Sequence, residues 1–309
     1  MRIKENTLVL GNGFSRIIFK QMPSWNSLFS RTKSAITNYT ILYEVNLLKR
    51  RYTTDAQAKN DLIEKINHSF SSNNIKKNIC DLEFFGILLG EHNIKNIITT
   101  NYDKGIEIIL CDICGFEEIV PKGMVAEKIY SIRTHKEFVD RKTGRHVKLW
   151  KIHGDIDRIH SVTLGFDQYC GSISKLSNYI KGKYSSDKGV KCTTPMEEKC
   201  CNENLFDGIS WAELFFRTNV YIVGLGLDYS EIDIWWLLNK RKRIEKGINQ
   251  EKINSRDIVK NKIYYLYNIQ FDSLEKKKDI FEALKAFGVK KRGIKSDANY
   301  INNIFNQIK

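Results

Sequence analysis

The sequence predicts an α/β fold in which a mostly parallel sheet carries helices on both faces and a helical insertion separates the first two strands. Short apolar runs at 7–10, 97–100 and 219–223 are typical of buried parallel strands. Each run stops at glycines or polar side chains and leads into a segment with helical periodicity. Because ligands bind at the carboxyl ends of the strands in open α/β sheets, we expect the functional site there.

Length and composition fit a folded protein with a large core, since the chain has 309 residues, of which 42% are apolar and 11% aromatic. No apolar run approaches the roughly 18 residues that a membrane span needs, and Met1–Asn6 leads into no secretory segment. We therefore expect a cytoplasmic protein without membrane contact.

The seven cysteines are odd in number and irregularly spaced, which indicates free thiols rather than disulfides. A zinc site normally needs two closely spaced pairs, and Cys111-x-x-Cys114 has no matching pair downstream. We expect no metal; the alternative is a site that Cys192, Cys200 and Cys201 complete in space.

The first strand, at Thr7–Leu10, runs into the glycine turn Gly11-Asn12-Gly13-Phe14-Ser15 and then into a helix. Glycines let backbone N–H groups approach an anion, and a helix N-terminus adds its dipole, so this pattern predicts a phosphate cradle. The alternative is that the glycines end the strand for purely steric reasons.

The stretch from Pro23 to Gly90 has helical rather than strand periodicity, with polar turns at Thr53–Asp55 and Ser71–Asn74. This is too long for one crossover, so we predict an insertion that caps the crevice. Its helices are expected around Trp25–Phe29, Ile41–Leu48, Leu62–Ile66 and Leu82–Leu89.

The second strand, at Ile97–Thr100, stops at Asn101 and Asp103, and a helix follows from Gly105. These polar residues stand where α/β proteins place their chemistry. The alternative is that Asp103 only caps the helix and Asn101 only forms the turn.

The next part, from Cys111 to Gly144, is irregular, with a short strand expected near Lys128–Ile132. The alternating run His146–Ile152 predicts a strand that ends at His153, where Gly154 permits close ligand approach. His153 is therefore either catalytic or structural. Another short strand is expected at Val162–Gly165.

After a helix at Phe166–Tyr184, a polar loop at 185–203 and a helix at Asn204–Arg217, a buried strand ends in a second glycine turn, with Gly224, Gly226 and Asp228. A helix then begins near Ser230, and Glu231 and Asp233 suit its positive end. The last expected elements are a strand at Lys262–Tyr267 and helices at Ser273–Phe287 and Asp297–Ile308.

The net charge of +14 is concentrated near the end of the chain, where 240–309 carries 18 Lys/Arg against 8 Asp/Glu. Such a surplus fits a nucleic acid or an acidic partner. The alternative is a solvated surface on which Arg241, Lys242 and Arg243 only decorate a helix end.

Four pieces in one order carry a family resemblance: Gly11–Ser15, Thr99–Asp103, Lys151–Gly154, and Gly224–Gly226 with Asp228 and Asp233. Together they resemble the sirtuin-like NAD-binding family with its Rossmann-like fold, and more closely its bacterial branch of phage-defence NADases. The stretch Pro23–Leu28 is also similar to that branch, and the abortive-infection H family is a near neighbour. The resemblance spans about Leu8 to Leu238.

The resemblance implies site roles. Asn101 would hold the ribose or a water, His153 would accept a proton as an imidazole of ordinary pKa, and Asp103 would orient the nicotinamide end of NAD. The cofactor-binding set would be Gly11, Asn12, Gly13, Phe14 lying over the site, Ser15 and Thr100, together with Gly224, Gly226 and an Asp228 that holds a ribose hydroxyl or merely caps a helix. Asn101→Ala and His153→Ala are each expected to abolish cleavage with little loss of melting temperature.

It also implies organisation and function. A catalytic domain at 1–244, with its insertion at about 23–92, would carry a basic extension at 245–309 packed on the same domain. The activity would be NAD hydrolysis that depletes NAD during antiphage defence, in a homo-oligomer with a partner ATPase or sensor. The alternatives are an NAD- or ADP-ribose-binding regulatory module and an NAD-dependent deacylase. Deacylating sirtuins carry a four-cysteine zinc module after the catalytic histidine, whereas here the Cys-x-x-Cys pair precedes His153.

Overall fold

The structure, a computed structural model, describes residues 5–20, 36, 38–67, 74–76, 79–121, 127–186, 189–248, 259–272, 275 and 277–309. Its strands are β1 (Asn6–Leu10), β2 (Ile94–Thr99), β3 (Phe116–Ile119), β4 (Lys136–Asp140), β5 (His146–Lys151), β6 (Tyr184–Ser185), β7 (Lys191–Cys192), β8 (Asn219–Val223), β9 (Ile263–Asn268) and β10 (Val289–Ile294).

Eight of these strands form one sheet in the spatial order β10-β9-β8-β1-β2-β5-β4-β3. Pairing is parallel from β10 to β5, and β4 and β3 add an antiparallel edge. β6 and β7 form a separate hairpin. The predicted α/β fold with a mostly parallel sheet is confirmed.

The helices lie on both faces of the sheet. They are α1 (Asn12–Ile18), α2 (Tyr39–Leu48), α3 (Asp55–Asn67), α4 (Phe85–Glu91), α5 (Gly105–Ile108), α6 (Phe166–Ile180), α7 (Met196–Cys201), α8 (Trp211–Arg217), α9 (Ile232–Glu245), α10 (Lys278–Ala286) and α11 (Tyr300–Phe305). In the described part of the chain, none is long and apolar enough to cross a membrane.

Alternation of side chains along each strand builds two cores. Val9 and Ile98 point to one face and pack with α6, α8, α9 and α10. Leu8 and Ile97 point to the other and pack with α1, α4, α5 and α11. The strands are therefore buried on both sides, which explains their continuous apolar runs.

The insertion between β1 and β2 forms a third core. Leu42 of α2 and Leu62 of α3 pack against Tyr102, which follows β2, and against Val162. The insertion thus sits over the carboxyl ends of the strands. Helices expected around Ile41–Leu48, Leu62–Ile66 and Leu82–Leu89 are confirmed, whereas the expected helix around Trp25 and the turn at 71–73 lie outside the described residues.

Two predicted strands are wrong, because their backbone groups bond to side chains and to the backbone of turns instead of to a neighbouring strand. Near Lys128–Ile132 the chain bends, and the buried Glu127 carboxylate accepts hydrogen bonds from the N–H groups of Ile132 and Arg133 at 2.8 and 2.7 Å. At Val162–Gly165, the Thr163 carbonyl accepts a bond from the Tyr102 hydroxyl at 2.6 Å.

Other boundaries also differ. The polar loop at 185–203 contains β7 and α7, and the helix expected from Asn204 begins only at Trp211. None of the seven cysteines forms a disulfide with another described residue. Among the described residues, none of them joins a cluster of three or more metal-ligand types.

β10 follows the strand that the sequence predicted to be the last. This strand was not predicted from the sequence, because the exposed Lys290 and Lys291 interrupt its apolar pattern. Lysines are common on edge strands, where they prevent pairing with another chain. Arg241 is also not a surface decoration: it is 3% exposed, and its guanidinium donates to the carbonyls of Phe215 and Asn261 at 3.0 and 2.7 Å. Part of the basic surplus is therefore structural.

Candidate functional site

The two glycine turns interlock at the carboxyl ends of β1 and β8. Gly11 N–H donates to the Val223 carbonyl at 2.9 Å, and Gly13 N–H donates to the Gly224 carbonyl at 2.7 Å. A Cβ on Gly224, whose φ is +64°, would collide with Phe14 N. The N–H groups of Gly11 and Gly13 are therefore already used, which supports the steric interpretation of the glycines. The expected cradle role of this turn stays a prediction.

Phe14 points into the core instead of over the site. Its ring centroid lies 6.1 Å from that of Phe85 and 6.0 Å from that of Tyr300. The helical periodicity of α1 places Phe14 toward the sheet, and these core contacts do not support its expected position over a ligand, which stays a prediction. Asn12 and Gly13 line a cavity beside this turn.

Asn101 lies beneath the first glycine turn. Its Nδ2 donates to Ser15 Oγ at 3.1 Å, and its backbone N–H donates to Thr99 Oγ1 at 3.1 Å. The side-chain oxygens of Asn101 and Thr100 are buried and accept no hydrogen bond from any described residue. Buried amide oxygens normally accept a hydrogen bond, so the Asn101 oxygen has capacity for a hydroxyl or a water that donates to it.

Asp103 combines a structural contact with an unsatisfied oxygen. Oδ1 accepts from Gly105 N–H at 2.8 Å, the capping contact of the structural alternative, while Oδ2 is buried without a partner among the described residues. Burial raises the pKa of Asp103 to about 7, although Lys151 opposes this. Asp103 is therefore near half-ionisation at neutral pH.

A buried ion cluster lies beside Asp103. Lys151 Nζ lies 2.6 Å from Glu107 Oε1 and 3.3 Å from Asp155 Oδ1, and Lys136 Nζ lies 3.2 Å from the same Glu107 oxygen. These pairs join α5, β4 and the loop after β5. They fix the loops that carry Asp103 and His153, a role that spacing in the sequence did not reveal.

His153 is brought to the same crevice as Asn101 because their strands are neighbours. Thr99 pairs with Lys151, and Ile152 N–H donates to the Thr99 carbonyl at 3.0 Å. Gly154, with φ +107°, packs so closely against Ser161 that a Cβ would collide with the Ser161 carbonyl. Gly154 therefore serves the turn that holds His153.

The His153 ring is clamped between two carboxylates. Nε2 lies 2.9 Å from Asp233 Oδ2, and Nδ1 lies 3.7 Å from Glu231 Oε2. Burial lowers the pKa of His153, but Asp233 and then Glu231 raise it more, to about 9. The expected ordinary imidazole is wrong, because His153 in this arrangement is mostly protonated at neutral pH and holds no free lone pair for a base.

His153, Glu231 and Asp233 are also the one group of metal-ligand types among the described residues, with ligand atoms within 4.8 Å of one another. The two carboxylates face different ring nitrogens, whose lone pairs diverge in the plane of the ring. In the described structure each ring nitrogen faces a carboxylate, at 2.9 and 3.7 Å, which is the arrangement of an ion-paired imidazolium.

A cavity of about 760 Å³ lies next to this buried group, between the glycine turns and the end of the chain. Gly224, Gly226, Asp228 and Glu231 line it, whereas in the described part of the chain Asn101 and His153 do not. A Cβ on Gly226 would meet no atom within 4 Å, so this glycine leaves open space for a ligand. The volume suits a small molecule.

Asp228 makes local contacts that support its structural alternative. Its Oδ1 accepts from Ser230 N–H at 3.1 Å, which shapes the turn before α9, and from Asn38 Nδ2 at 3.1 Å. The second contact links the cavity wall to the insertion. Asp228 still lines the cavity, so a role in ligand binding stays a prediction.

The insertion covers His153 through a pair of tyrosines. The hydroxyls of Tyr39 in α2 and Tyr169 in α6 lie 2.5 Å apart, and the Tyr169 ring lies edge-on to His153 at 5.3 Å. Glu44 accepts from Phe166 N–H at 2.8 Å and thus fixes α2 to the start of α6. His153 is 1% exposed beneath this cover.

Residues 95–194 match the family described as SIR2-like domain. The matched stretch includes Asn101, Asp103 and His153 but covers less than half of the chain. Together with the Rossmann-like α/β sheet, it supports a sirtuin-like protein, a class whose activity is related to NAD. No curated protein matches this chain.

The sequence did not predict the roles of Glu231 and Asp233 beside His153. Both were assigned to the positive end of a helix, yet Glu231, at the N-cap of α9, makes no side-chain capping bond. The available signal was the position of two acidic residues just after a glycine turn at a central strand end. Their contacts with His153 depend on the order of the strands in the sheet, and hydrophobic periodicity in a sequence does not predict that order.

Proposed function

We propose that this protein hydrolyses NAD to nicotinamide and ADP-ribose. The observation that carries the proposal is the pairing of β2 with β5, which brings the unsatisfied amide of Asn101 and the clamped His153 to one crevice within the stretch that matches the SIR2-like domain. The adjoining cavity suits a nucleotide in size, with Gly226 giving open space and Asp228 available to a ribose hydroxyl.

The reaction breaks the bond between nicotinamide and C1′ of the ribose, and the electron pair of that bond goes to the nicotinamide nitrogen. Positive charge develops on the ribose, and water attacks C1′. Asn101, whose amide oxygen is free to accept, would orient the ribose or the water. The carboxylates around His153 would favour the developing cation, as fixed charges do at a transition state.

The test is nicotinamide release from NAD by the purified full chain, alone and with any partner protein that co-purifies. We expect release in at least one of the two conditions and its loss in Asn101→Ala. Intact NAD in both conditions, with the protein folded, would refute the proposal. His153→Ala is a poorer probe, because it leaves two buried carboxylates facing each other.

A regulatory module that binds NAD or ADP-ribose without cleavage is the second candidate. The burial of His153 beneath Tyr39 and Tyr169, away from the cavity, favours it. Calorimetric binding of NAD without turnover, unchanged in Asn101→Ala, would support this candidate. The third, deacylation, is tested with an acyl-lysine peptide and NAD; release of the deacylated peptide would support it.

In the cell, we propose that the protein is a cytoplasmic effector of antiphage defence that works as a homo-oligomer with a partner ATPase or sensor. The basic residues after Lys240 would contact that partner or nucleic acid. Because Arg241 is buried, the surface test uses Lys290→Glu with Lys291→Glu on β10. Loss of a co-purifying partner would indicate protein contact, whereas a flatter dependence of DNA affinity on salt would indicate phosphate contact.

A further inference from the structure

We propose that Glu231 is the general base of the hydrolysis and that His153, held by Asp233, acts behind it as a positioning residue. This inference rests on the proposed NAD hydrolysis and assigns the proton-accepting step to a different side chain. Four observations support it: the position of Glu231, its unsatisfied oxygen, the contacts of His153, and the charges around both.

The position of Glu231 puts it between the cavity and His153. Glu231 is 6% exposed and lines the cavity, whereas His153 is 1% exposed and does not line it in the described part of the chain. A reactant that enters the cavity therefore meets the carboxylate before the imidazole. No rearrangement of the Tyr39–Tyr169 pair is needed for that contact.

The carboxylate is also unsatisfied. Glu231 Oε2 is buried and has no hydrogen-bond partner among the described residues, and its closest cation is His153 Nδ1 at 3.7 Å. The residue stands at the N-cap of α9 but accepts no bond from the helix N–H groups. A buried carboxylate normally accepts several hydrogen bonds, so this oxygen has capacity for a donor such as water.

His153 is unsuited to be the first proton acceptor. Asp233 binds its Nε2 at 2.9 Å, and the remaining nitrogen, Nδ1, faces Glu231. The imidazolium instead sets the charge on Glu231 and holds it in place. Asp233 completes the arrangement by fixing the plane of the ring, as a carboxylate does for a catalytic histidine elsewhere.

The surrounding groups set the ionisation of Glu231. Burial raises its pKa to about 7, His153 opposes this, and Asp233 and Asp228 add to it. A carboxylate with a pKa near the working pH combines availability with basicity. Among the described residues, three buried tyrosines also interact with Glu231, and because burial raises their pKa values they stay neutral: Tyr39, Tyr102 and Tyr169. The charged residues Arg16, Lys76, Asp272 and Lys277 line other parts of the same cavity.

The proposed step balances without a further reactant. The bond between C1′ and the nicotinamide nitrogen breaks, and its electron pair neutralises the pyridinium ring. Water forms the new C1′–O bond and gives one proton to the Glu231 carboxylate. The products are nicotinamide, ADP-ribose and protonated Glu231, which returns its proton to solvent through the cavity.

The experiment measures nicotinamide release and NAD binding for the wild-type chain, Glu231→Gln and Glu231→Asp. Glu198→Gln is the matched control, because Glu198 is an exposed glutamate in the first turn of another helix, α7. We expect Glu231→Gln to lose about 100-fold in kcat while its Kd for NAD stays within about threefold of wild type, and Glu231→Asp to recover part of the loss.

The pH profile separates the two possible bases. In the wild type, kcat should rise with pH through about 7, the pKa of Glu231. In His153→Gln the midpoint of this rise should move to higher pH, because His153 lowers the pKa of Glu231. If His153 were the base, the rise would instead disappear in His153→Gln and persist in Glu231→Gln.

Three outcomes would overturn the inference. The first is Glu231→Gln within threefold of the wild-type kcat, and the second is the persistent rise just described. The third is a wild-type chain that releases no nicotinamide under any condition, which refutes the proposed function as well. The first two leave NAD hydrolysis intact and reject only the role of Glu231, so the two failures are distinguishable.

Discussion

The carboxylate of Asp233 lies 2.9 Å from Nε2 of His153, and this contact joins the first turn of α9 to the loop after β5. Both side chains are buried, so the pair joins a helix that follows β8 to a loop that follows β5, on either side of the central strands β1 and β2. The same contact is therefore expected to stabilise the fold. Stability and protonation are linked there.

Asp233→Asn should lower stability at pH 6 by about 2 kcal/mol, because a hydrogen bond between two charged groups is lost. The pKa of His153 is raised to about 9, so its stabilising contribution is complete below about 6.5 and is lost as pH rises through about 9. Urea unfolding at pH 6 and pH 10 checks this. The two proteins should differ clearly at pH 6 and little at pH 10; equal differences would contradict the linkage.

Glu231→Gln should leave the protein at least as stable as wild type at pH 8. The raised pKa of Glu231 means that its charged form is disfavoured by folding, so wild-type stability falls as pH rises from about 4.5 through about 7. The variant should lose that decline. Thermal melts at pH 4 and pH 8 test this prediction, with Glu198→Gln as the control. A variant that is less stable than wild type only at pH 8 would show that the charged form of Glu231 stabilises the fold, which contradicts the prediction.

Gly224→Ala should unfold the protein or destabilise it by more than about 2 kcal/mol, because a Cβ meets Phe14 N at a φ of +64°. Gly115→Ala is the control for backbone strain alone, since its φ is +75° and no atom lies within 4 Å of the added Cβ. Gly226→Ala should keep its stability and weaken NAD binding, because Gly226 lines the cavity. Urea unfolding and calorimetry separate the three; similar stability losses in Gly224→Ala and Gly115→Ala would show that the close packing contributes little.

Arg241→Ala should cost about 3 kcal/mol, since it removes the donor to the buried carbonyl of Asn261 and one of the two donors to the carbonyl of Phe215, which keeps its bond from Asn261 Nδ2. Arg243→Ala, on an exposed position of the same helix, should change stability by less than about 0.5 kcal/mol. Denaturant midpoints measured side by side check the pair. Equal midpoints would place Arg241 with the solvated charges that the sequence first suggested.

The sequence predicted the sheet and the two glycine turns because buried parallel strands leave continuous apolar runs. It placed Asn101 and His153 correctly at strand ends for the same reason. It missed β10, whose lysines face solvent at an edge, and it could not pair His153 with Asp233, because that meeting depends on how far apart the strands lie in the sheet. Hydrophobic periodicity predicts which face of a strand or helix a residue occupies, but it does not predict which other segment of the chain lies next to that residue.

It also misread groups whose chemistry depends on burial. A histidine in isolation has an ordinary pKa, and the carboxylates that surround His153 in the fold raise its pKa, so that the protonated form is favoured. Arg241 stands in a basic run, Arg241–Arg243, that resembles a surface patch, but helical geometry turns it inward toward backbone carbonyls. Both errors come from properties that a residue acquires only through distant neighbours.

The central place of β1 in the sheet has a consequence for synthesis on the ribosome. β1 pairs with β2 on one side and with β8 on the other, and the hydroxyls of Thr7 and Thr218, 211 positions apart in the sequence, lie 2.7 Å apart. A nascent chain that has not yet produced β8 exposes one hydrogen-bonding edge of its first strand. Such long-range closure slows folding and leaves the growing chain open to aggregation, so chaperone dependence should centre on the interval between the emergence of β2 and that of β8.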